Sequence, residues 1–173
     1  MPISDIHLRR LTAADVALYR DFRIAALRAT PSAFTSSWAE EAARPLSWSL
    51  QRLEANFILG AFDGDRLCGT AGLSVPARVQ ERHKALLFGM AVAASHGGRG
   101  IGRLLVDDLL GRAAAMPHVT QVTLSVTAGN PAAERLYRGC GFTVYGREPR
   151  AVCIGGEFFD KLLMVRMLAF TPG

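Results

Sequence analysis

The sequence predicts an α/β fold, a mixed sheet with helices on its faces, and three observations carry that reading. Two short apolar strands, 85–92 and 119–126, are each followed by a helical segment, 100–115 and 130–139, which makes a strand, helix, strand, helix unit. Ahead of it, 57–62 and 67–75 are strand-like runs joined by Asp63-Gly64-Asp65, a strong hairpin signal. Behind it, 142–146 and 158–168 close the chain as an antiparallel pair. Hairpins on either side of one parallel crossover describe a mixed sheet.

Each element has a local reason. Ile6 and Leu8 alternate with polar residues as a strand requires, and Thr12-Ala13-Ala14-Asp15 is a variant capping box. The helix that it opens is expected to run to about Arg28, with Val16, Tyr19, Phe22 and Ala26 as its apolar stripe. Thr30-Pro31-Ser32 breaks it. Segment 37–55 mixes helix formers with Pro45 and a cap at Ser47, which predicts two short helices. A polar loop follows over 76–84. Strand 85–92 is apolar on both faces, as a buried central strand is. In 119–126, Val122, Leu124 and Val126 share one face. The closing strands are expected to be separated by a loop containing Gly155-Gly156.

At 173 residues the chain fits one domain, 1–173, and a globule of this size buries roughly 70% of its unfolded surface. Half the residues are apolar and a fifth charged, the mixture of a folded soluble protein. The longest apolar stretch, 85–94, falls well short of the roughly 20 residues of a membrane-spanning helix, so no membrane partner is expected. Residues 1–7 lack the basic start, apolar run and cleavage site of a secretory signal, and cytoplasm is the expected location. Cys68, Cys140 and Cys153 are widely spaced and read as reduced packing residues. The four histidines are scattered, and no metal is expected. The net charge of +5 is spread from Arg9 to Arg166 among interspersed acids, so no nucleic acid is expected as a partner. The modest positive field would attract a polyanionic cofactor.

The turn Gly97-Gly98-Arg99-Gly100-Ile101-Gly102-Arg103 lies where a buried strand passes into a helix. Glycines let main chain approach a ligand closely, and the open amides and dipole of the first helical turn favour a phosphate. Arg99 and Arg103 are placed to neutralise it further. No Gly-Lys-Ser/Thr follows, which excludes a Walker loop. The dinucleotide fingerprint fails because its third glycine falls on Arg103 and Thr127 follows the next strand, with no acid for a ribose. The bland alternative is a turn that only permits tight packing. In the second unit, Asn130 before Pro131 reads as an N-cap and Tyr137 as an amphipathic core residue.

Taken together, the two units resemble the GNAT superfamily of acyl-CoA-dependent N-acyltransferases. Gly100-Ile101-Gly102 supplies the end of the family's Gln/Arg-x-x-Gly-x-Gly/Ala turn. Asn130, Ala133, Leu136, Tyr137, Gly141 and Phe142 match its Asn-x-x-Ala-x-x-Leu-Tyr-x-x-x-Gly-Phe segment in full. Gly97 stands where the family usually has Gln or Arg, which puts affinity rather than binding mode in question.

The resemblance implies the GNAT fold, a mixed, mostly antiparallel sheet of about seven strands with two splayed parallel central strands. It implies acetyl-CoA as acyl donor and a primary amine of a small molecule, amino acid or peptide as acceptor. Gly98, Arg99, Gly100, Ile101, Gly102 and Arg103 would hold the pyrophosphate. Met90, Ala91 and Val92 would line the pantetheine arm as main chain, with Asn130 and Ala133 beside it. An irregularity in strand 85–92 would free an amide to polarise the thioester carbonyl. Tyr137 matches the general acid for the leaving thiolate. No general base stands out: Glu40, Glu41, His83, Glu157 and Asp160 lie in segments that border the acceptor cleft of similar proteins. A catalytically weak acyl-CoA-binding or sensing domain is the alternative, and a homodimer is open.

Overall fold

The computed structural model describes residues 5–169. Its elements run β1 (Ile6–Arg10), α1 (Val16–Ala29), α2 (Trp38–Ala43), α3 (Leu46–Ala55), β2 (Phe57–Asp63), β3 (Arg66–Ser74) and β4 (Lys84–Val92). They continue with α4 (Ile101–Ala114), β5 (Gln121–Thr127), α5 (Pro131–Gly139), β6 (Thr143–Ile154) and β7 (Glu157–Met167). The strands form one mixed sheet in the order β1-β2-β3-β4-β5-β7-β6. By internal contacts the chain divides into two units, the first comprising residues up to Gly72 with Gly89–Leu105, the second Leu73–Phe88 with the residues from Val106 on.

In the first unit, β1 pairs antiparallel with β2 from Ile6↔Asp63 to Arg10↔Leu59. The Thr12 amide donates to Asp15 Oδ2 at 2.8 Å, and a short 3-10 turn, Ala13–Asp15, leads into α1. This helix packs against α2 and α3. Its buried residues are Tyr19, Arg23 and Leu27, whereas Val16, Phe22 and Ala26 are half-buried. The expected stripe is therefore rotated, because a charged residue that has a buried partner takes the central inward position. Ser37 caps α2, its hydroxyl accepting from the Glu40 amide at 3.2 Å. Pro45, not Ser47, caps α3: its extended backbone sets the entry and its carbonyl accepts from the Trp48 amide at 3.0 Å.

In the second unit, the first residues of β4 run parallel to β5 through Lys84↔Gln121, Ala85↔Val122 and Leu86↔Thr123. β5 pairs antiparallel with β7 from Gln121↔Met167 to Thr127↔Lys161. Val122, Leu124 and Val126 are buried as expected, along with Val106, Leu109, Ala113, Phe142 and Met164. The segment expected as a loop before Gly155-Gly156 is instead strand, since β6 continues to Ile154 and pairs with β7 as far as Ile154↔Glu157. Two left-handed glycines close the turn in two residues, so the ladder extends to its tip. Register shifts between Val144 and Gly146 and between Glu148 and Val152 bend the strand.

Two further expectations need correction. β4 is not buried on both faces: Ala85 and Leu87 are buried, Leu86 is exposed, and the stretch from Phe88 to Val92 is half-buried. Gly89, at φ +63°, interrupts the pleat and with it the alternation. Cys68 and Cys140 are buried, outside any disulfide, but Cys153 is exposed, because β6 is the outermost strand of the sheet. Among the described residues no helix is long and apolar enough to cross a membrane, and no group of three or more His, Cys, Asp or Glu could hold a metal ion.

Candidate functional site

Met90, Ala91, Val92 and the turn from Gly98 to Arg103 fall in the first unit. After β4 the Ala93 amide donates to the Cys68 carbonyl at 2.8 Å, and a 3-10 turn, Ala94–His96, brings the chain to Gly97. Gly98 and Gly100 have φ of +74° and +79°, a backbone region costly for any other residue. The first intrahelical bond of α4 runs from the Leu104 amide to the Gly100 carbonyl at 3.1 Å. The amides ahead of Leu104 are thus those that the helix itself does not use, at the positive end of its dipole. A doubly left-handed turn feeding a fourteen-residue helix is a main-chain arrangement that favours an anion. Gly97 has an ordinary φ of −59°, and a Cβ there would meet only the Ala94 carbonyl at 3.4 Å, so the missing side chain leaves the turn's shape intact.

The turn is braced from below. Ile101 is fully buried, and a Cβ placed on Gly69 of β3 would lie 3.1 Å from Ile101 Cγ2 and 3.2 Å from Leu105 Cδ1, closer than a side chain tolerates comfortably. At the end of β2, Asp63 Oδ2 is 3.1 Å from His96 Nε2 and accepts from Arg99 Nη1 at 3.2 Å. Hydrogen bonds from Arg99 first and His96 second hold the Asp63 carboxyl below its usual range. Arg99, expected to face an anion, is therefore drawn to a carboxylate of the protein. Sequence reading missed Asp63 and His96, which stand 33 residues apart and outside any motif.

A second feature of this unit lies beside β4. Arg23 of α1 grips Glu41 of α2 through Nε and Nη2, with distances from 2.7 to 3.0 Å, and both are buried. Its guanidinium lies 5.5 Å from the Phe34 ring centroid, and its Nη1 would be 3.8 Å from a Cβ on Gly89. Gly89 is a left-handed residue within β4. Breaking such a buried pair costs roughly 3–5 kcal/mol, since it strands one charge. Glu41 is therefore a fixed counter-ion.

Asn130, Ala133 and Tyr137 fall in the second unit. The Asn130 side chain caps α5, Oδ1 accepting from the Ala133 amide at 3.2 Å, and Pro131 occupies the first helical turn, where its missing N–H costs nothing. The Ala128 amide donates to the Asp160 carbonyl at 2.9 Å, which ties the end of β5 to β7. Tyr137 is buried, and its ring stands edge-on to Phe142 at 6.0 Å. Burial, reinforced by Cys140, pushes the phenol well above its ordinary value, so it stays protonated at neutral pH.

The other base candidates are mostly engaged in structural bonds. Glu40 completes the capping box of α2, its Oε2 accepting from the Ser37 hydroxyl at 2.8 Å. Asp160 accepts from the Arg150 amide at 2.8 Å and from Arg147 Nε at 2.7 Å, which lower its carboxyl. His83 and Glu157 are exposed. Lys161, the register partner of Thr127 and Glu148, is buried, and burial lowers its ammonium.

Residues 23–142 match the model of the acetyltransferase (GNAT) family. Over 78 residues the chain is 30% identical to a spermidine N(1)-acetyltransferase of Vibrio cholerae, a span of 45% of each chain, so it covers about half the length of that curated relative. Among solved structures, the ribosomal-protein-alanine N-acetyltransferase of Brucella melitensis superposes with a TM-score of 0.81 at 26% identity, over 94% of this chain and 99% of that one. A phosphinothricin acetyltransferase of Sinorhizobium meliloti, solved with acetyl-CoA, has the same fold, with a TM-score of 0.76 at 24% identity over 95% and 89% of the two chains.

Proposed function

The chain belongs to the GNAT acetyltransferase family, and from that premise we propose that it is an acetyl-CoA-dependent N-acetyltransferase acting on a primary amine of a small molecule, amino acid or peptide. One observation supports the donor half of this reading: two left-handed glycines lead the main chain into the head of α4, an arrangement that favours an anion such as a pyrophosphate. The amides from Gly98 to Arg103 hold the pyrophosphate. Met90, Ala91 and Val92 serve the pantetheine arm as main chain, with Asn130 and Ala133 as further contacts, and the left-handed Gly89 supports an irregular β4 whose amide would meet the thioester carbonyl.

The amine attacks the carbonyl carbon as a free base, and the C–S bond breaks as the carbonyl re-forms. Tyr137 gives its proton to the departing sulfur. Burial keeps the phenol protonated, so the proton is present to give, although the same shift makes it a weaker acid. With Glu40, Glu41 and Asp160 tied into structural bonds, the proton of the amine leaves through water.

The relatives' names carry spermidine, a ribosomal-protein alanine and phosphinothricin, and an amine is common to all three. The reading treats 1–173 as one cytoplasmic catalytic domain. The test is turnover of acetyl-CoA against a panel of a polyamine, free amino acids and peptides with free N-termini, followed by thiol release. Acetylated amine from at least one class is the expected result. Coenzyme binding without turnover of any class would leave the alternative, an acyl-CoA-sensing domain, which Gly97 and the lack of a committed base favour.

A further inference from the structure

We infer that Asp63 is a positioning residue for the coenzyme turn, a latch that holds the main chain from His96 to Arg99 in its binding shape. This rests on the reading that the turn binds the coenzyme's pyrophosphate. Asp63 sits at the last position of β2, and its Oδ2 engages His96 on one side of Gly97-Gly98 and Arg99 on the other. His96 is buried, and its Nδ1 lies 2.8 Å from Ser95 Oγ, so the imidazole is held on both edges.

Between the two latched residues lie glycines, one of them left-handed, and glycine loses more conformational freedom on ordering than any other residue. Such a segment does not stay in one shape unaided. The bond from Ala93 to Cys68 fixes the entry to the turn, and the close approach of Ile101 to Gly69 fixes its exit. Asp63 reaches the middle from another element, and it does so with charge-assisted hydrogen bonds.

The opposite sign is also physically possible, which makes the inference testable. Asp63 partly neutralises Arg99, so if charge were what mattered, its removal would free the guanidinium for the phosphates and tighten binding. A latch predicts weaker binding, because the ordering of the turn must then be met from the binding energy.

Coenzyme A is titrated calorimetrically into the parent, Asp63→Asn and Asp63→Glu. Amide hydrogen exchange is followed for residues 96–102 and for β7. The latch predicts that Asp63→Asn weakens coenzyme A binding about 10-fold, the size of one charge-assisted hydrogen bond. Asp63→Glu, which keeps a carboxylate, should recover most of the loss. Exchange at 96–102 should quicken in the Asn variant while β7 stays protected, which separates loss of the latch from global unfolding. Equal or tighter binding by Asp63→Asn, or unchanged exchange at the turn, overturns the inference. A parent that binds no coenzyme A would instead overturn the proposed function.

Discussion

The turn at the head of α4 and the helix α5 hold the groups proposed for binding and chemistry by different means. The turn offers main chain. Its two positive-φ glycines shape it, and its anchors come from distant residues, Asp63 and Gly69. The helix offers side chains. Asn130 and Tyr137 are set by contacts within their own segment, the Asn130 cap on Ala133 and the ring of Phe142 five residues beyond Tyr137. The lesson is that a main-chain site depends on what surrounds it, whereas a side-chain site built on a capped helix carries much of its support in its own sequence.

The largest effect should come from adding a side chain to the turn. Gly100→Val forces a β-branched residue to φ near +79°, at a strain of roughly 1–3 kcal/mol, and sets a side chain at the amides. Coenzyme A binding should vanish in calorimetry while circular dichroism still shows a folded protein. Binding equal to the parent's would mean that the turn's main chain is not the site.

On α5 the matching perturbation is milder. Asn130→Ala removes the cap to Ala133 and should lower stability by about 1 kcal/mol, seen as a reduced denaturation midpoint with unchanged slope. A larger loss would mean that Asn130 supports more than its own helix. Smallest is Gly97→Arg. The backbone there is ordinary and a Cβ meets only the Ala94 carbonyl, so the substitution should be accommodated and tighten coenzyme A binding by up to about 1 kcal/mol through an exposed phosphate contact. An unchanged dissociation constant would show that main chain alone sets affinity at the turn.

The same contrast explains what could be read from the sequence. The strand, helix, strand, helix unit and the hairpin turns follow local rules, and so do Asn130 and Tyr137, which sit at fixed spacings on one helix. Arg23 defeated the helix stripe because its partner Glu41 lies on another helix, and no periodicity reports a buried ion pair. Strand β6 runs on past Gly146, where the sequence predicts a loop, because the outermost strand of a sheet faces solvent and tolerates charges such as Arg147, Glu148 and Arg150. Asp63 reads as a turn residue, whereas it closes β2 and makes bonds to His96 and Arg99 that only the fold supplies.

The central claim is that α5 contributes chemistry through one hydroxyl while the turn contributes binding through main chain. Single-turnover acetyl transfer by Tyr137→Phe, with acetyl-CoA saturating and an acceptor found in the amine panel, tests it most directly. The ring and its edge-on packing on Phe142 remain, and only the proton donor is lost. Because a thiolate already leaves fairly well, the transfer rate should fall by about 10- to 100-fold, the lower end of general acid catalysis, with coenzyme A affinity nearly unchanged. A Phe variant that transfers acetyl as fast as the parent would contradict the claim and leave Tyr137 a core residue.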